Sequence, residues 1–68
     1  MLVETITSQY EMSHGHRPRG VGAWAFAFEP YPKDMNKMIW VNGSFGEAKR
    51  YAIRVAREMG ERRLYVQP

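Results

Sequence analysis

The sequence predicts an α+β fold: a small sheet of three antiparallel strands plus a short C-terminal strand, with one helix packed on one face, in the order β-β-β-α-β. Three observations predict it. The stretch "GAWAFAFE" alternates small and large side chains without a break, which is the period of a strand. Between Phe45 and Met59 apolar residues recur at helical spacing. Around these segments stand turn signals, "EPYPKDMN" and "NGS".

The elements follow in order. In "LVETITSQYEM", Leu2, Ile6, Tyr10 and Met12 fall at even positions, so the segment reads as a half-buried first strand. "SHGHRPRG", residues 13–20, reads as the hairpin loop after it. In the second strand Trp24, Phe26 and Phe28 point one way and Ala23, Ala25 and Ala27 the other. The aromatic side is the expected core face. The alanine side, with Ile39 and Val41, is the expected open face. "KMIWV" is the third strand, reached through a second hairpin.

Ser44 followed by Glu47 is a capping box, and Gly60 suits the left-handed residue that stops a helix. Phe45, Ala48, Ala52, Val55, Ala56 and Met59 form the buried stripe, opposite Arg50, Arg54 and Arg57. "RRLYVQP" is the fourth strand, with Leu64 and Val66 inward. The helix carries the chain back, so the fourth strand should run parallel to the first and third. The expected strand order is 3-2-1-4. Trp24, Phe26, Phe28 and Trp40 should be buried against Ala48, Ala52, Val55 and Ala56.

The 68 residues make one domain, 1–68. A chain this short buries only ~60% of its unfolded surface. It has no cysteine to reinforce the core with disulfides or a thiolate metal site. Its 44% apolar content argues against disorder. "MLVETITSQYEM" has an early glutamate and no continuous apolar core, and no apolar run is long enough to cross a bilayer. The expected location is cytoplasmic, the host interior if the gene is phage-borne, with no membrane partner.

Charge is unevenly placed. Residues 1–42 are balanced, and the net +3 sits in residues 43–68. A patch of this sign suits an acidic partner. Arginine, not lysine, dominates it, which favours bidentate contact with phosphate or carboxylate.

"HGH" offers two imidazoles where zinc wants three or four ligands, and Arg17 and Arg19 would repel a cation. The reading is no metal and no cofactor. A catalytic histidine needs an orienting partner and a pocket, and no nucleophile elbow or phosphate-binding glycine loop is present. No catalytic residue is expected. The expected contacts are Arg17 and Arg19, with His14 and His16 as secondary donors and Arg50, Arg54 and Arg57 on the helix.

The expected element order resembles the ribonuclease H-like core, which implies metal-binding carboxylates on the first strand, helix and fourth strand. Glu47 matches the helix acid. Thr7, Ser8 and Gln9 occupy the first-strand position and Gln67 and Pro68 the last, so two of three acids are missing, which argues against a nuclease. A second resemblance runs from Arg19 to Gly60. "RGV" at 19–21, Trp24, Pro30, Trp40, "GSF" at 43–45, and Ala48, Tyr51, Ala52 and Ala56 resemble the AP2 domain and the arm-binding domains of tyrosine integrases. That likeness implies a three-stranded sheet laid in the DNA major groove. The expected open face carries no arginine, leaving that work to Arg17 and Arg19.

The expectation is a non-enzymatic small basic binding protein, phage or mobile-element encoded, contacting nucleic acid or a nucleoprotein through these arginines. The alternative is a protein-binding inhibitor of a host defence or nucleic-acid-handling complex, of the anti-CRISPR or host-takeover type, meeting an acidic protein surface.

Overall fold

The computed structural model describes residues 2–68, without the side chain of Met35. The fold is α+β: a four-stranded sheet and two helices, one of them packed on the sheet. The elements are β1 (Glu4–Ile6), α1 (Ser8–His14), β2 (Val21–Ala27), β3 (Ile39–Ser44), α2 (Phe45–Glu58) and β4 (Arg63–Val66), with a short 3₁₀ turn at Met35–Lys37.

The expected first strand stops at Ile6, and its second half is α1. The apolar positions Leu2, Ile6 and Tyr10 lie four apart, a spacing that a helix satisfies as well as a strand. Gln9 and Glu11 are good helix formers, and the Thr7 hydroxyl donates to the Glu11 carboxylate one turn on. Gly15 at φ 75° ends the helix, its N–H donating to the Glu11 carbonyl. Residues 13–20 are therefore a helix end and a connection, not a hairpin loop.

With no hairpin between them, β1 and β2 are not neighbours. The sheet order is β1-β4-β2-β3, not the expected 3-2-1-4 read from the other edge. β4 pairs parallel with β1 and antiparallel with β2, and β2 pairs antiparallel with β3. The expected direction of β4 holds; its place is central. The reason is apolar content. Leu64 and Val66 are fully buried, and an edge position would leave one flank of them wet.

β3 runs into α2 with no loop. Ser44, extended at ψ 151°, is the last residue of β3 and the N-cap of α2. Its hydroxyl oxygen accepts from the Glu47 N–H at 3.2 Å and its O–H donates to the Glu47 carboxylate at 3.0 Å. At the other end the Glu61 N–H donates to the Ala56 carbonyl across Gly60, φ 74°, the 6→1 bond of a Schellman stop.

Ala48, Ala52 and Ala56 are fully buried and let α2 approach Trp24, Phe26, Leu64 and Val66 closely. Phe45 lies edge-on to Trp24, ring centroids 4.9 Å apart. Ile53 packs against this core, while Met59, expected in the stripe, is exposed. Phe28 is only half-buried.

The largest correction is Trp40, which is 60% exposed against 6% for Trp24. Register decides it. Trp40 lies opposite Ala25, and Ile39 and Val41 lie opposite Phe26 and Trp24. Ile39 and Val41 thus pack on the helix side, and Trp40 shares the alanine face. The helix side already holds Trp24, Phe26 and Phe45, and the smaller branched residues fit the space left. Ala27, expected on the open face, is buried.

Candidate functional site

The open side of the molecule carries a groove of about 760 Å³. Its floor is β2 from Val21 to Ala25, one wall is α1 through Gln9, Tyr10 and His14, and the connection Pro30–Pro32 and Trp40 bound the rest. The Gln9 side-chain amide donates to the Pro30 carbonyl at 2.9 Å, which ties α1 to that connection. Val21 is 83% and Tyr31 81% exposed. Large apolar groups held this openly around one concavity mark a contact surface.

The lining of β2 is unusual. Alternate residues of a strand show their side chains to one face only, yet Val21, Gly22, Ala23, Trp24 and Ala25 all border the groove. The groove therefore runs along the backbone edge of β2. The ladder explains why. The Phe45 N–H donates to the Gly20 carbonyl, so by register Gly22, Trp24 and Phe26 bond toward β3. On the other flank Ala27 faces Tyr65, and Ala25 accepts from the Gln67 N–H at 2.9 Å. β4 ends there. The outward N–H and C=O of Val21 and Ala23 find no protein partner among the described residues.

The expected contact residues divide into two groups. His14 closes α1 with its ring stacked on Tyr10, centroids 4.0 Å apart, and it borders the groove. His16 lies 6.1 Å from it, its ring Nδ1–H donating to the Arg17 carbonyl at 2.8 Å. Arg17 and Arg19 are exposed, and Arg19 borders the groove. Neither arginine makes an ion pair among the described residues. Arg50, Arg54 and Arg57 are exposed on α2, whose alanine stripe faces the sheet. The Arg54 guanidinium lies 5.8 Å over the Tyr51 ring. None of these three arginines borders the groove.

Among the described residues, no three His, Asp or Glu side chains gather closely enough to hold a metal ion. None of their helices is long and apolar enough to cross a membrane. Sequence reasoning missed Trp40, Tyr31 and Tyr10 as site residues. The usable signal was "PYP": a tyrosine between two prolines sits on a stiff connection and has little chance of core burial. No family model, curated protein or solved structure matches the chain.

Proposed function

We propose that this chain is a non-enzymatic binding protein whose ligand lies in the groove and presents acidic groups to Arg17 and Arg19. An acidic protein surface, alone or within a nucleoprotein, is the reading the groove supports best. A nucleic-acid-handling or host defence complex is the class of target to try first. The observation that carries it is Trp40, a large exposed ring held on β3 beside Ala25. Tryptophan and arginine dominate binding energy at protein interfaces, and Trp40 stands with Tyr31, Tyr10 and Arg19 around one concavity.

Nucleic acid is the second reading. Exposed aromatic rings on a sheet beside arginines can stack bases and hold phosphates. The AP2-like residues imply the same class of ligand.

One experiment separates them. Pull-down from host lysate, with and without nuclease, is run beside a salt titration of DNA affinity. On the first reading, Trp40→Ala abolishes capture of a protein, nuclease leaves capture intact, and DNA binding is negligible. On the second, Arg17→Ala with Arg19→Ala weakens DNA binding and lowers the salt slope by ~2. Wild-type behaviour in both assays from both variants would overturn the proposal.

A further inference from the structure

We infer that the groove takes an extended peptide as an added β-strand, hydrogen-bonded to Val21 and Ala23, with a carboxylate at its C-terminal end held by Arg19. This rests on the protein-binding reading above and names the form of the ligand.

In a sheet each interior strand bonds on both flanks. β2 is interior along Phe26 and Ala27, where β4 flanks it, and is an edge along Val21 and Ala23. The outward N–H and C=O of those two residues have no protein partner among the described residues. The space beside them is the groove, and α1 stands across it as a wall. A strand lying between a sheet edge and a helix is a common mode of peptide capture, because the main chain supplies the bonds and flanking pockets supply specificity. Natural edges are usually blunted by proline, lysine or a bulge. The stretch "VGA" at 21–23 has none of these side chains, and Gly22 adds no bulk.

Direction follows from β4. Gln67 and Pro68 already border one end of the groove, in line with β4 and antiparallel to β2. A peptide continuing that line keeps the antiparallel pairing, which gives the closely spaced paired bonds at Ala23 and Val21. Its C-terminal end then lies toward Gly20 and Arg19. Arg19 has no ion-pair partner among the described residues, and the His14 imidazole borders the same groove. The guanidinium fork matches a carboxylate. That carboxylate is either the peptide's own C-terminus or an Asp or Glu side chain near it. Along such a strand, residues facing the side of Ala23 and Val21 meet Trp40, and the alternate ones meet Tyr10.

The test uses the full chain and a displayed library of random peptides with free C-termini. Enriched peptides are then synthesised as free acids and as C-terminal amides, with and without their acidic side chains. The expected result is slowed amide exchange at Val21 and Ala23 on binding, with Trp24 and Phe26 unchanged because they are already bonded. Arg19→Ala should weaken the carboxylate-bearing peptide about tenfold, as one charge-assisted contact is worth roughly that, and leave the peptide lacking it unaffected. Whichever removal, of the terminal carboxylate or the side chain, reproduces the Arg19→Ala loss identifies the source. A library without enrichment, or bound peptides that leave exchange at Val21 and Ala23 unchanged, would overturn strand addition. If Trp40→Ala still abolishes partner capture in that case, the protein-binding reading stands and only the strand form is lost.

Discussion

Two tryptophans do opposite work. Trp24 is buried, its Nε1–H donates to the Gly43 carbonyl at 3.0 Å, and its ring meets Tyr10 and Phe45. Trp24→Ala should cost ~3–5 kcal/mol, the usual price of truncating a buried aromatic, while Trp40→Ala should change stability by under ~1 kcal/mol. Urea unfolding of both variants checks the pair; equal losses would show that Trp40 is part of the core. The roles of the two were only half legible. Alternation in "GAWAFAF" placed Trp24 inward, where it is buried. Nothing in "KMIWV" fixes the register of β3 against β2, and a slip of one residue exchanges Trp40 with Ile39 and Val41. The same slip hid Trp40 as a groove residue. Arg19 and His14 were named as contacts from loop composition and both border the groove, whose position depends on where β4 ends.

At the scale of elements, α2 was the most legible because every signal agreed: cap, stripe and stop. Ser44 serves both β3 and α2, so Ser44→Ala should cost ~1 kcal/mol and should also raise amide exchange at the end of β3. Thermal unfolding with exchange measured at Gly43 and Phe45 checks this; loss confined to α2 would mean that the strand and helix are not coupled through the cap. The element read wrongly was α1. Seven residues are too few to announce a helix by periodicity, and Tyr10 at a position allowed by both periods left the choice to tertiary packing. That one reassignment moved β1 away from β2 and opened the place into which β4 fits.

Across the whole molecule the apolar groove lies along the edge of β2, and the arginines of α2 lie outside its lining. Arg50 and Arg54, four apart, and Arg54 and Arg57, three apart, repel weakly at ~0.2–0.5 kcal/mol per pair. The triple change Arg50→Ala, Arg54→Ala and Arg57→Ala should leave groove binding unchanged and reduce only nonspecific, salt-sensitive attachment to polyanions. Titration of the triple variant against both the captured partner and heparin checks it. A loss of partner affinity equal to that of the Arg17→Ala, Arg19→Ala variant would mean that one ligand wraps both sides. The uneven charge along the chain was plain in the sequence. Which arginines border the groove was not, because that depends on how α1, β2 and α2 pack together.

β4, one of the two interior strands, follows the other described elements in the chain. β1 has no partner and β2 no neighbour on that flank until β4 arrives. During synthesis the β2–β3 hairpin and α2 can form as they emerge, but the core lacks Leu64 and Val66 until both are made. Closure is therefore a late event joining distant parts of the chain, the kind of pairing that slows folding. Until Leu64 and Val66 dock, the chain holds two open strand flanks and an uncovered helix face. Exposed apolar surface and unpaired strand edges of that kind are what make a folding intermediate prone to aggregate.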